Sequence, residues 1–323
     1  MKIDVHSHYY PQEYIQHLKK RKAVPMLATD SQGRTIIHYK GDYNIVARGH
    51  VDPEERVKDM RRARIDMQVL TLTTPGTESV PPDESVQLAK VTNDGFSRVV
   101  GKYPDNFTAL ATLPMLDPEA AVEELRRAVK ELGLRGACIF SNIAGKTLDS
   151  REYWPVYAEA ERLSVPVLIH PTTPISAEPV MDYRLVAILG FTFDTSIAAT
   201  RMIFSGLFEK HPSFNLVLAH LGGTLPYLAE RIDNGYRAYP ECKMNITKPP
   251  SHYLKRMYYD TVSFHRPALE CAHSFLGPRQ LMMGSDYPHQ IGDLERAVTS
   301  IEQLDIQEKD SILGENAIRL LHL

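Results

Sequence analysis

Short apolar runs rich in β-branched residues alternate along this chain with longer stretches whose apolar residues recur at helical spacing. Eight such runs are legible: IDVHSH at 3–8, MQVLTL at 67–72, FTALATLP at 107–114, RGACIF at 135–140, VPVLIH at 165–170, NLVLAH at 215–220, RMYYDTV at 256–262 and QLMMGSD at 280–286. Near-continuous apolar runs of this length suit strands buried on both faces of a parallel sheet. The stretches between them carry helix start and stop signals. Asp52-Pro53-Glu54-Glu55 supplies an N-cap, a proline at the first helical position and a glutamate at the capping-box position. Asp117-Pro118 opens another helix, with an apolar face of Val122, Leu125, Val129 and Leu132 and Gly133 at its end. Residues 152–163, 184–207, 222–236, 266–275 and 309–321 read as helices. Pro82-Asp83 starts one that runs to about Val100, with Gly95 weakening its middle.

Strand then helix, repeated eight times, predicts an α/β fold of the closed (β/α)8 TIM-barrel type. The alternative, an open doubly wound sheet, would carry GxGxxG after its first strand, and none is there. At 323 residues the chain fits one such domain, 1–323. Two insertions interrupt the rhythm. Residues 9–51 hold TIIHYK and DYNIVA around Gly41, which predicts a small β-hairpin flap after the first strand. Residues 171–183, rich in Pro and Thr, lengthen the loop after the fifth strand, and long loops on such scaffolds are often functional.

Composition changes the picture mainly by exclusion. The chain is 43% hydrophobic and 24% charged, an ordinary globular balance. A net charge of -3 makes no electrostatic case for nucleic acid or an anionic membrane. Mean hydropathy is -0.28, and no apolar run is expected to approach the roughly 20 residues of a membrane span. The N-terminal MKIDVHSHYYPQEY lacks the apolar stretch of a signal peptide. Cys138, Cys242 and Cys271 lie far apart without CxxC spacing, so they read as reduced thiols and a cytoplasmic enzyme is expected.

The candidate chemistry lies at the ends of the apolar runs. His6 and His8 sit two apart at the end of the first, so both imidazoles face one side of a strand. An HxH alone says little. Position strengthens it: His170 ends the fifth run, His220 the sixth and Asp286 the eighth. Active sites of barrel enzymes form at those C-terminal strand ends, whereas unrelated histidines would scatter. Three imidazoles and a carboxylate, His6, His8, His170 and Asp286, suit one divalent ion, with Zn²⁺ the first choice and Mn²⁺ the second. Binuclear barrel hydrolases often place a bridging lysine on the fourth strand; here that run has none, and Lys146 lies well into the loop, which points to a single metal. His220, in HLGGTLPY, is read as an acid/base group beside a metal-bound water, with completion of the coordination sphere as the alternative.

His6-Ser7-His8-Tyr9, His170-Pro171, the stretch LFEKHP at 207–212, His220-Leu221-Gly222-Gly223 and Gly284-Ser285-Asp286-Tyr287-Pro288 together resemble the amidohydrolase-2 branch of the amidohydrolase superfamily. Within it the chain is similar to the aminocarboxymuconate-semialdehyde decarboxylase-like enzymes, over nearly its whole length and most strongly from 165 to 288. That group holds decarboxylases of aromatic and unsaturated acids together with some hydrolases and hydratases. The resemblance implies His6, His8, His170 and Asp286 as metal ligands and His220 as the acid/base histidine. It implies Arg231 as a carboxylate-binding residue that reaches a neighbouring subunit's site, hence a homodimer or higher homo-oligomer. A surface or interface ion pair with Glu230 or Asp233 is the competing reading of Arg231.

The chain also departs from that pattern. Asn44 stands where the family has a second carboxylate-binding arginine in the flap, and Arg48 four residues on is the candidate substitute. His289 replaces an aromatic residue after the Asp-Tyr-Pro motif, and His265 stands where another polar residue is usual. Arg231, Arg48, Asn142 and His289 are therefore the candidate substrate-binding residues, and they favour a small carboxylic acid. The expected reaction is nonoxidative decarboxylation of an unsaturated or aromatic carboxylic acid. The alternatives are a hydrolase or hydratase of a lactone, ester or related small acid on the same site, and a barrel that has lost activity, against which the intact ligand set argues.

Overall fold

The apolar runs become parallel strands, each hydrogen-bonded to the run before it and the run after it in sequence. The computed structural model describes all 323 residues. Ile3–His8 pairs with Met67–Thr71, which pairs with Phe107–Ala109. At Leu110 the third run changes partner: the Leu110 amide donates to Leu70, and the Ala111 amide to Gly136. Ala111–Thr112 then pairs with Ala137–Phe140, and the order continues through Val167–His170, Leu216–Leu218, Tyr258–Asp260 and Leu281–Met282. The last run returns to the first, through Val5 N to Met283 O at 2.8 Å and His8 N to Tyr287 O at 2.7 Å. The eight runs thus follow one another around a ring in chain order.

Inside the ring, Ile3, Val5, Val69, Leu110, Cys138, Leu168, Val217 and Met282 form one buried apolar cluster, closed at the N-terminal end by Ala317, Leu320 and Leu321 of the helix Asn316–Leu321. A larger core lies between the strands and the surrounding helices. Its helices start where the sequence signals them. The Asp52 side chain accepts from the amides of Glu54 and Glu55 at the head of Pro53–Ala63, and Asp117 caps Pro118–Lys130 through Ala120. Pro82–Lys102 is unbroken, and Gly95 does not interrupt it: a Cβ there would lie 2.5 Å from the Pro11 Cβ, so glycine is required by close packing.

Four expectations need correction. The segment after the first strand holds more than a hairpin: Thr35–Tyr39 pairs antiparallel with Asp42–Ile45 as expected, but Met26–Thr29 adds a third strand and Gln12–Lys20 is a helix. Leu294–Glu302 is an additional helix, capped by Asp293 and burying Leu294, Ala297, Val298 and Ile301. The runs 184–207 and 309–321 each begin with a π-helical turn, Val186–Gly190 and Ser311–Glu315, before Phe191–Phe204 and Asn316–Leu321. Finally, Val186–Phe204 is long and apolar enough to cross a membrane by length and composition, contrary to the expectation that no run approaches that length. Half of it is buried in the protein, and Ala198, Ala199, Met202 and Ile203 make its core face.

Candidate metal centre and active site

A β-bulge decides which way the first strand points its histidines. Along Ile3–His8 the register with Met67–Thr71 shifts between Asp4 and Ser7, three steps on one strand against two on the other. Across that shift the facing side changes parity: the odd positions Ile3 and Val5 join the interior cluster, and the even positions His6 and His8 bring their rings together at the strand's C-terminal end. His170 is the last residue of its strand, His220 follows Leu216–Leu218 by two residues, and Asp286 follows Leu281–Met282 by four. His220 and Asp286 both hold left-handed backbone, with φ of 53° and 59°. Such backbone is costly for non-glycine residues and here turns each side chain back over the strand ends. Gly223 completes the His220 turn at φ 65°, where a Cβ would lie 2.1 Å from the Thr192 carbonyl oxygen.

The five side chains converge. Ligand atoms of His6, His170, His220 and Asp286 lie within 4.8 Å of one another, and those of His8, Asp286 and His289 do likewise. His8 Nε2 is 3.0 Å and His6 Nε2 3.4 Å from Asp286 Oδ1, and His220 Nε2 is 3.9 Å from Oδ2. His6 Nε2 and His8 Nε2 face each other at 3.1 Å. Burial alone would raise the Asp286 pKa; contacts with His220, His6 and His8 outweigh it and hold the carboxyl well below its usual range. Burial lowers the pKa of both His8 and His170 well below the ordinary imidazole value, which favours neutral rings able to coordinate a cation.

These residues fit a divalent ion. His170 Nδ1 donates to the Pro171 carbonyl at 2.7 Å, which leaves Nε2 with a lone pair; that atom is buried and has no hydrogen-bond partner. Two imidazole nitrogens 3.1 Å apart, beside an ionised carboxylate, are a donor set that a shared cation satisfies. A lysine is absent from the fourth strand, Ala137–Phe140, so nothing there bridges a second ion.

Asp260, which the sequence reading missed, underlies the cluster. It is fully buried and lies 2.5 Å from His6 Nδ1. Burial opposes charge on His6, but the Asp260 carboxylate overrides it and lifts the pKa to about 10. Asp260 also accepts from the amides of His220 and Leu221, so one carboxylate holds the His6 ring and the His220 turn together. Its signal was available: it ends the seventh strand, at the same end of the ring as the histidines. Arg56 was missed as well. Its buried guanidinium donates to the carbonyls of His8 and Gly49 and to Ser7 Oγ, tying down the strand end that carries the histidines.

The predicted substrate-binding residues fare unevenly. His289 lines the same pocket as His170, His220 and Asp286, with its ring 4.7 Å from His8 and Nε2 3.2 Å from Thr73 Oγ1. Arg48 does not reach it. Its side chain is 73% exposed, pairs with Asp52 and borders a separate cleft with Tyr9 and Arg98, because the short 3-10 turn Arg48–His50 aims it outward. Asn142 is also excluded. Its amide is spent on the Thr173 carbonyl and Asp194, because the chain leaves the fourth strand in a small antiparallel turn that faces a neighbouring cavity. Arg231 is exposed on Leu225–Ala238, outside the pocket of this chain. Neither Glu230 nor Asp233 pairs with it: Glu230 takes Arg237, and Asp233 takes Ser251. Asn44, at the flap position, is buried, donates to Tyr10, Thr74 Oγ1 and the Thr74 carbonyl, and borders the pocket.

The pocket holds about 250 Å³ and has apolar walls from Ile45, Ala187, Ile188, Phe191 and Ile291. An apolar cavity of about 150 Å³ accommodates benzene, so this volume suits one substituted ring. A cleft of about 610 Å³ elsewhere is larger but contains none of the five clustered residues.

Comparison with known proteins agrees with this geometry. Over 332 residues the chain is 30% identical to the 2-amino-3-carboxymuconate-6-semialdehyde decarboxylase of Dictyostelium discoideum, covering 100% of this chain and 92% of that protein. The crystal structure of a 5-carboxyvanillate decarboxylase from Sphingomonas paucimobilis superposes with a TM-score of 0.86 at 26% identity, covering 100% and 99% of the two chains. A dihydroxybenzoic acid decarboxylase from a Polaromonas species, solved with manganese and the inhibitor 2-nitroresorcinol, gives 0.79 at 25% identity, covering 100% and 97%. The amidohydrolase family matches residues 3–323, so a chain that brings four histidines and an aspartate to one end of its strand ring belongs to the amidohydrolase superfamily, in its amidohydrolase-2 branch.

Proposed function

We propose that this protein is a metal-dependent nonoxidative decarboxylase of an aromatic or unsaturated carboxylic acid. The observation that carries the reading is the convergence of His6, His8, His170, His220 and Asp286 on a pocket sized for one ring. Its relatives are decarboxylases of a muconate semialdehyde, of carboxyvanillate and of dihydroxybenzoate, which supports the same chemistry here. In this reading the strand ring is a (β/α)8 barrel, and the antiparallel sheet Met26–Ile45 is a flap beside its mouth.

His6, His8, His170 and Asp286 would hold one divalent ion, zinc by the character of the donors and manganese as the alternative. Such an ion supplies charge stabilisation and orientation for carboxylate and hydroxyl oxygens. The chain's own residues do the rest. Phe191 and Ile45 would wall the substrate ring from water. His220 Nε2, which faces Asp286, would pass a proton to the carbon bearing the carboxylate. Conjugation is interrupted, the carbon–carbon bond to the carboxylate breaks, CO₂ leaves, and the electron pair restores the π system. The balance is one carboxylate and one proton in, one arene or alkene and CO₂ out. Asp260 keeps His6 and the His220 turn aligned throughout.

We further propose a homo-oligomer with Arg231 at the contact. Tyr227, 83% exposed, lies one turn before Arg231 on Leu225–Ala238, and Ile188, Phe193 and Ile197 are exposed along the neighbouring helical segment.

The test is metal analysis of the purified protein together with a panel of carboxylated phenols, muconate-type acids and lactones. One zinc or manganese per chain with CO₂ release is expected. Ring opening without CO₂ would replace the decarboxylase with a hydrolase.

A further inference from the structure

Of the side chains that line the metal pocket, one is a lysine or arginine: Arg184. It stands at the end of the long loop after the fifth strand, across from the flap strand Asp42–Ile45. Its guanidinium is held from that strand in three ways. It pairs with Asp42, whose side chain is only 7% exposed. Its Nη1 and Nη2 donate to the Tyr43 carbonyl at 3.3 and 3.2 Å. It lies over the Tyr43 ring, 4.4 Å from the centroid. The Arg184 side chain remains 42% exposed, so part of the fork is open to an incoming group.

The backbone beneath it is unusual. Tyr183 and Arg184 are consecutive non-glycine residues in the left-handed region, with φ of 55° and 62°. Such pairs persist where the surrounding structure holds them, and they cluster at ligand clamps and active sites. The pocket therefore has His170, His220, Asp286 and His289 at the clustered end, apolar walls from Phe191 and Ile188, and at the other end Arg184, its one arginine or lysine, paired with Asp42 of the flap strand. Neither Arg48 nor Arg231 offers a competing cation within this chain's pocket.

We propose that Arg184 anchors a second anionic group of the substrate, so that the preferred acids carry a further carboxylate or phenolate besides the carboxylate that is lost. The proposal rests on the decarboxylase reading above. A planar guanidinium matches a carboxylate with two parallel hydrogen bonds, which a lysine cannot reproduce. Asp42 and Tyr43 keep that plane in place before the ligand arrives, which lowers the ordering cost of binding.

The experiment measures binding of isophthalate and of benzoate to the metal-loaded protein by calorimetry, for the wild type, Arg184→Met and Arg184→Lys. The Met variant is expected to weaken isophthalate by about tenfold or more relative to its effect on benzoate, the loss of a charge-assisted bidentate contact. The Lys variant should recover only part of that difference. In turnover, the Met variant should raise KM for two-anion acids more than it lowers kcat. Equal effects on the two probes, or none, would overturn the assignment. A wild type that binds isophthalate through Arg184 but releases CO₂ from no acid would instead overturn the decarboxylase reading.

Discussion

Two residues at the centre of the site have separable jobs. Asp260 touches His6 through Nδ1, on the side of the ring away from the Nε2 that faces His8 and Asp286. On the proposed reading it orients a metal ligand, while the proton passes through His220. His220 lines the pocket and faces Asp286 at a longer distance than His6 or His8 do. Asp260→Asn should therefore lower metal affinity by about 10- to 100-fold, the usual effect of losing a carboxylate behind a ligating histidine. Competition with a chromogenic chelator reads this directly. His220→Ala should retain the metal and cut kcat by about a hundredfold or more. If both variants lost metal to the same degree, His220 would be a ligand and not the proton donor. Of these two, His220 is legible in the sequence because it ends an apolar run and opens His-Leu-Gly-Gly. Asp260 lies inside the run RMYYDTV, two residues before its end, and its partner His6 lies 254 residues away, a pairing of which local pattern holds no record.

Elements in this protein are joined by buried charges as well as by apolar faces. Glu159 on Trp154–Leu163 takes Arg162 of its own helix and Arg126 of Pro118–Lys130, with only 8% of its side chain exposed. Hydrogen bonding from Arg162, with further help from Arg126, outweighs burial and lowers its pKa from 4.5 to about 2. Because the folded value lies below the unfolded one, the stabilisation is complete above about 4.5 and is lost as pH falls through about 2. Both arginines are about half exposed, so screening discounts the effect. Glu159→Gln should cost about 1 kcal/mol at neutral pH. In thermal melts, its gap from the wild type should close as pH falls toward that folded value. A constant gap across the range would assign the effect to packing. The helices themselves were readable where a cap precedes a periodic face, as at Asp52 and Asp117. Leu294–Glu302 has the same signals, Asp293 and an apolar face, but it is short and additional to the strand–helix repeat. Gln12–Lys20 and Met26–Thr29 belong to the inserted segment beside the flap, outside the strand–helix repeat, so that repeat carries no sign of them.

At the scale of the molecule, metal and fold should be linked. The cluster gathers buried imidazoles and the Asp286 carboxylate where the last strand run meets the first, through contacts such as Asp286 N to His6 O at 2.9 Å. Stripping the ion with a strong chelator should abolish turnover and lower Tm. Adding zinc or manganese back at about a hundred times Kd should restore about 2.7 kcal/mol. An unchanged melting profile would mean that the cluster is held without a cation. By itself the sequence determined the α/β alternation and the four histidines and one aspartate at strand ends, because both are properties of neighbouring residues and of position along a run. Only the tertiary structure decided which of the sequence's other polar residues share their pocket. It kept His289, turned Arg48 and Asn142 away, brought in Arg184, set Asp260 behind His6, and used a one-residue bulge to aim His6 and His8 at the cluster. The physical reason is that a pocket is assembled from loops whose direction depends on turns, bulges and left-handed residues. A register change of one position reverses the facing of every side chain after it.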